Sequence, residues 1–278
     1  MMSNNTGIRR LLENARFEVL PTATIAEKVL ASVPRDTTLT VTASPAKPLD
    51  ATLGMAERLR AEGYRVVPHL AARMINGRNE LAEIVDRLRQ ADIDAIFVPG
   101  GDATPGEGHY TSAVELLDDL ATIPHSFRQI GVTGYPESHP TIHDDVTIQS
   151  MWDKRRHATH IVSNMTFDAA GTAKWVRRVR ARGVSQAILI GLPGPVERAK
   201  LLTMGAKVGV GESLRFLTKQ KGVFARIAAP GYSPEAFLQK LVRTADEPAM
   251  KIEGLHLFTF NQVAETQAWR EQLLASAR

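Results

Sequence analysis

The sequence predicts an α/β chain closed as a single (β/α)8 TIM barrel. Three observations predict it. Short apolar or β-branched runs recur eight times along the 278 residues. Longer amphipathic stretches alternate with them. No internal repeat, and no linker rich in Pro or Gly, divides the chain, so residues 1–278 read as one domain. A barrel of this kind runs to about 250 residues as one unit.

The elements follow in order. Residues 16–20 form a short strand, and 38–42 (TLTVT) are strongly β-prone. Residues 49–62 read as a helix with Leu53, Ala56 and Leu59 on one face. Residues 65–69 are the third strand. A helix over 80–90 places Leu81, Ile84, Val85 and Leu88 at helical spacing. Residues 95–98 (AIFV) look like a strand buried on both faces. A helix over 110–120, a strand over 129–133 and a helix over 147–157 come next. The strand at 160–164 leads into a helix over 168–182, which Gly183 closes as a C-cap. Residues 187–190 (AILI) are the seventh strand. Short helices are expected at 196–204 and 211–221. A further helix runs over 234–244, with Ser233 as N-cap and Pro234 at its first position. The strand at 255–259 and a helix over 264–277 complete the set.

Parallel strands need helical crossovers, and eight such units close on themselves. An open doubly wound sheet is the alternative. No G-x-G-x-x-G fingerprint follows the first strand, which weakens it.

Composition narrows the function. There is no cysteine, which excludes disulfides, thiolate metal sites and a thiol nucleophile. No metal site is assigned. No run approaches the ~18 apolar residues of a membrane span. Residues 1–13 lack the apolar core of a signal peptide, so a cytoplasmic protein is expected. The net charge is +4. Basic residues gather at Lys154, Arg155 and Arg156, and at Lys174, Arg177, Arg178, Arg180 and Arg182. Such clusters could attract a nucleotide phosphate, a nucleic acid or a polyglutamate tail. A solvated helix face is the plainer reading, and neither nucleic acid nor membrane is assigned as a partner. Barrels of this size often self-associate, so a homo-oligomer is allowed.

The chemistry of such a barrel sits at the C-terminal ends of its strands. There the sequence places Glu18, Thr42, His69, Gly101 with Asp102, Tyr135 with His139, and Asn164. Each alone has a structural explanation, such as a salt bridge, a core histidine or a tight turn. Their gathering at one rim is what packing does not call for.

At these residues the chain resembles the methylenetetrahydrofolate reductase family, from Phe17 to about Asn261. The family's first strand, F-E-F-F-P-P, is similar to F-E-V-L-P-T here. Its P-H-L is Pro68, His69 and Leu70, and its R-G-D aligns with Gly100, Gly101 and Asp102. Its Y-P-E-x-H-P runs intact from Tyr135 to Pro140. Its T-Q-F-F-F-D aligns with Ser163 to Asp168, and its last strand resembles Leu257 to Asn261. Y-P-E-x-H-P after a glycine-rich strand end is fairly specific, and the order of the rest adds to it.

The resemblance implies a reductase. Hydride would pass from NADH or NADPH, through FAD, to 5,10-methylenetetrahydrofolate, giving 5-methyltetrahydrofolate, or the reverse. Glu18 would be the general acid that protonates nitrogen 10 of the folate and opens the bridged ring. A carboxyl group at a mostly apolar barrel mouth suits that task. Asp102 would support the resulting iminium cation. Glu18, Asp102 and Asn164 would contact the folate. Thr42, His69, Gly101, Asp102, Tyr110, Tyr135, His139 and Lys154 would line the flavin, with Lys154 neutralising its pyrophosphate. Two alternatives stay open. One is the same chemistry without flavin. The other is a folate-binding or partner-binding barrel without turnover.

Overall fold

The computed structural model describes residues 2–103, 108–139, 142–195 and 234–277, with side chains from residue 5 onward. Helix α1 (Met2–Glu13) precedes the first strand. The strands are β1 (Arg16–Val19), β2 (Thr38–Val41), β3 (Arg65–Pro68), β4 (Ala95–Val98), β5 (Gln129–Gly134), β6 (His160–Met165), β7 (Ala187–Pro193) and β8 (Ile252–Phe258). The helices between and after them are α2 (Ile25–Ser32), α3 (Leu49–Ala61), α4 (Arg78–Gln90), α5 (Ala113–Leu120), α6 (Asp144–Lys154), α7 (Ala169–Ala181), α8 (Pro234–Ala245) and α9 (Val263–Ser276).

All eight strands are parallel, in the order β3-β2-β1-β8-β7-β6-β5-β4. The two outer members meet. His69 bridges Phe97, and the Leu70, Ala72 and Arg73 N–H groups donate to the Phe97, Pro99 and Gly100 carbonyls. The ring is thereby closed, as the alternation of strands and helices predicts. The expected helices at 196–204 and 211–221, and the Ser233 cap, lie outside the described residues.

Two helices were not anticipated from the sequence. α1 lies outside the repeating units, and its Arg10 donates to the Ile252 and Ala245 carbonyls beside β8. α2 is only eight residues long and buries Ile25, Ala26 and Val29. Other boundaries shift modestly. The helix expected from residue 110 begins at Ala113, because the Ser112 side chain accepts from the Glu115 N–H as its N-cap. Asp168 does the same for α7, accepting from Ala170 N–H at 2.9 Å.

Strand alternation divides the residues into two layers. Phe17, Val19, Leu39, Val41, Ile96, Val98, Ile130, Val132, Ile188 and Ile190 face the helices and make the main apolar core. The inward set is polar at many places. Arg16, Thr40, His69, Gln129, His160 and His256 join Val67, Phe97 and Leu189 there. Bulky aliphatic side chains usually fill such an interior. A polar filling needs partners; Arg16, Gln129, His160 and His256 find them across the barrel, whereas Thr40 Oγ1 has none among the described residues.

At the N-terminal end, Arg16 donates to His160 Nε2 at 2.9 Å and to Gln129 Oε1 at 2.9 Å. Arginine cannot accept, so His160 Nε2 is bare and its proton sits on Nδ1, 2.8 Å from Thr159 Oγ1. Burial, with Arg16 and His256 adding to it, lowers the His160 pKa to about 3. Burial and then Arg65 lower that of Arg16 to about 10. Gly131 makes room for this ring. A Cβ there would lie 2.9 Å from His160 Nε2.

The buried histidines predict a pH dependence of stability. Burial brings the His69 pKa to about 4 against its ordinary 6.5, and His160 to about 3. A base with a lowered folded-state pKa binds fewer protons folded than unfolded. The neutral rings therefore favour the fold fully above pH 6.5, and that advantage is lost as pH falls toward 4. A few kcal/mol should disappear across this window, at about 1.4 kcal/mol per pKa unit per group. Urea unfolding at pH 7 and pH 5 measures it. Equal free energies at both pH values would contradict neutral buried rings.

Candidate functional site

Glu18 sits on β1 with its side chain turned into the barrel and only 15% exposed. His256, on the neighbouring strand β8, meets it with Nε2 2.9 Å from Glu18 Oε2. His69, on β3, places its own Nε2 4.0 Å from the same oxygen. That separation is too long for a hydrogen bond, and His69 Nε2 has no partner among the described residues. With its pKa lowered to about 4, chiefly by burial, His69 is neutral and makes no ion pair. His256 is the group that holds Glu18.

The end of β1 is fixed by the residues that follow β8. Thr259 Oγ1 donates to the Glu18 carbonyl at 2.5 Å. The Asn261 side chain accepts from Leu20 N–H at 2.8 Å and donates to the Leu20 carbonyl at 3.0 Å. An amide matches the paired groups of a backbone, so Asn261 prolongs the sheet where β8 has ended. Phe260 and Asn261 take positive φ values of 50° and 60° to make the turn.

A second group gathers at the ends of β4 and β5. Gly101 has φ 89°, and a Cβ there would approach Ala71 Cβ to 3.1 Å. Glycine thus brings the β4 loop against the β3 loop. Asp102 follows, and its charge acts on both Tyr135 and His139. The Tyr135 and His139 rings meet edge to face, 4.9 Å apart. Burial raises the Tyr135 pKa. His139 Nδ1 accepts from Ile142 N–H at 3.2 Å, and burial lowers the pKa of this ring.

Glu137, in the same motif, has a structural task. Its Oε1 accepts from Thr166 Oγ1 at 2.9 Å, Phe167 N–H at 2.5 Å and Asp168 N–H at 2.8 Å. It thereby ties the β5 loop to the turn after β6. Asn164 sits where β6 breaks register with β7. Its Oδ1 accepts from Met165 N–H at 2.8 Å, which leaves the amide NH2 as a donor.

The topology puts Glu18, Asp102 and Asn164 at the same end of the barrel, together with Thr42, His69, Gly101, Tyr135 and His139. Thr42 Oγ1 is buried without a hydrogen-bond partner among the described residues. Of the other two flavin residues implied by the resemblance, Tyr110 lies in the loop between β4 and α5 and Lys154 at the end of α6. The Tyr110 hydroxyl donates to Asp119 Oδ2 at 2.7 Å, and burial followed by this bond holds its phenol well above the usual range. Lys154 is buried in the last turn of α6, the helix returning toward the N-terminal ends of the strands. Burial lowers its pKa to about 8.

The methylenetetrahydrofolate reductase family model matches residues 24–273. The chain belongs to this family. Methylenetetrahydrofolate reductase 2 of Saccharomyces cerevisiae is 30% identical over 93 residues, a stretch covering 32% of this chain and 16% of the yeast protein. The methylenetetrahydrofolate reductase match therefore spans about a sixth of that relative's length. Among solved structures, an oxaloacetate acetylhydrolase superposes with a TM-score of 0.52 at 11% identity, over 98% of this chain and 86% of its own. A putative lyase/mutase from Burkholderia cenocepacia J2315 superposes with a TM-score of 0.50 at 15% identity, over the same shares. At such identities these two share the barrel fold alone.

Two features of this methylenetetrahydrofolate reductase family chain escape a reading of the sequence. His256 lies mid-strand, two residues before the strand end that draws attention. An inward phase shared with Phe258 is the only signal for it. The basic clusters are mostly neutralised. Arg156 pairs with Asp118, Arg177 with Glu247, Arg178 with Asp144 and Arg182 with Asp145. Arg155 stacks on Trp152, 3.3 Å from the ring centre. The four paired arginines keep about half of their side chains exposed. Among the described residues no helix is long and apolar enough to cross a membrane.

Proposed function

We propose that this chain reduces 5,10-methylenetetrahydrofolate to 5-methyltetrahydrofolate with NADH or NADPH, or runs the same reaction in reverse. The observation that carries this reading is Glu18. It is a mostly buried carboxyl group at the C-terminal rim, held by a buried histidine, in a chain of this family. In the reducing direction Glu18 gives its proton to nitrogen 10 of the folate. The bond from that nitrogen to the bridging carbon breaks, leaving an iminium at nitrogen 5. Hydride then adds to that carbon. Asp102 sets a negative charge near the cation as it forms, which favours it. Asn164 offers its amide NH2 to the pterin edge.

The rim has residues suited to a planar redox ring. Thr42 carries a buried hydroxyl with no partner among the described residues, and Asp102, Tyr135 and His139 form a group at the same end of the barrel. These would hold FAD, which when bound supplies the hydride relay from the nicotinamide. One observation favours a second reading, in which hydride passes directly from the nicotinamide. Tyr110 and Lys154, two of the other flavin candidates, are engaged with Asp119 or buried in the last turn of α6. The absorbance spectrum of the purified protein separates the two. Flavin bands, with turnover that rises on adding FAD, support the first. A colourless preparation with full turnover and no response to FAD supports the second. No NAD(P)H-linked turnover under either condition would end the proposal.

A further inference from the structure

We infer that His256 is a positioning residue that directs the acid proton of Glu18 onto Oε1, the oxygen it does not hold. The inference rests on Glu18 being the acid of the proposed reaction.

The geometry carries it. His256 is 2% exposed, on a central strand, and its Nε2 lies 2.9 Å from Glu18 Oε2. The opposite ring nitrogen, Nδ1, is buried and has no partner among the described residues. A proton on Nδ1 would be an orphaned buried donor, which costs more than a bare lone pair. The favoured tautomer is therefore Nε2–H, donating to Oε2. When Glu18 is protonated, Oε2 is then the accepting oxygen and the proton resides on Oε1. Thr259 on the Glu18 carbonyl and Asn261 on Leu20 fix the backbone from which that carboxyl group projects.

The same bond strengthens during the reaction. As Oε1–H gives its proton to the folate nitrogen, the carboxyl group becomes a carboxylate. The proton of His256 stays on Nε2 throughout. A hydrogen bond to a charged acceptor is about twice as strong as one to a neutral acceptor, so His256 favours the transition state over the ground state. The charged and titratable groups facing this ring are Glu18 and Arg16 on β1, His69 on β3 and His160 on β6. His69 and His160 are neutral. Arg16 is turned to His160 and Gln129. Glu18 is thus the only anion among these groups, and the bond of His256 goes to it.

Two substitutions separate a positioning role from simple packing. His256→Leu removes the donor, and kcat should fall roughly 10- to 100-fold with KM for the folate little changed. His256→Gln restores an N–H near the place of Nε2, and kcat should recover to within about threefold of the wild type. Equal losses in both variants would overturn the proposal. A second measurement needs no turnover and no ligand. In ¹⁵N-labelled protein, the Nε2–H of His256 should give a downfield imidazole proton that is absent in His256→Gln and moves upfield in Glu18→Gln. A resonance that does not respond to Glu18→Gln overturns the proposal whatever the turnover. A wild-type protein without NAD(P)H-linked turnover overturns instead the reading of the substrate.

Discussion

Replacing Glu18 with Gln should lower kcat for NAD(P)H-linked folate reduction by about a thousand-fold, within the span general acid catalysis contributes. The substitution keeps the size of the side chain and keeps an oxygen to accept from His256. Only the transferable proton is lost, so KM should change little. A thousand-fold is about 4 kcal/mol of transition-state stabilisation. The reverse reaction needs the same carboxylate as a base for nitrogen 10, so oxidation of the methyl-folate should fall by a similar factor. Stopped-flow measurement in both directions tests this. A variant within tenfold of the wild type would remove Glu18 from the acid role, and a loss confined to one direction would contradict the shared step.

Replacing Glu137 with Ala should destabilise the fold rather than the chemistry alone. One carboxylate oxygen accepts from Thr166 Oγ1, Phe167 N–H and Asp168 N–H. Removing it leaves two backbone donors and a hydroxyl to find other partners in a partly buried turn. Hydrogen bonds to a charged group contribute about 1.5–3 kcal/mol each at most. Two of the three are only partly buried and one is exposed, so a total near 3 kcal/mol is expected. For a chain of this size that lowers Tm by on the order of 10 °C. Asn164 lies two residues before Thr166, so the variant should also raise KM for the folate. Thermal unfolding followed by circular dichroism gives the first quantity and steady-state kinetics the second. An unchanged Tm would assign Glu137 to ligand contact instead of the loop clamp.

Much of this molecule is readable from the order of its residues. Runs such as TLTVT and AILI are too β-prone and too short for helices, and they recur with amphipathic helices between them. Steric and periodic preferences of this kind act over a few residues, so the eight strands and the end of the barrel that bears the site follow from them. The motif at Tyr135 to Pro140 is local in the same sense. Helices α1 and α2 were not anticipated: α1 precedes the first strand and stands outside the repeating units, and α2 spans only eight residues. Other features depend on distance along the chain. Glu18 and His256 are 238 residues apart, and their bond exists because β1 and β8 become neighbours when the barrel closes. Asn261 acts on Leu20 for the same reason, and Glu137 on Phe167 because adjacent loops meet at one rim. Lys154 shows the converse. Sequence resemblance groups it with rim residues, whereas the direction of α6 carries it toward the other end. Local preference decides which residues make a strand. Only closure of the sheet decides which side chains share its interior, because that pairing is set by strand order and register.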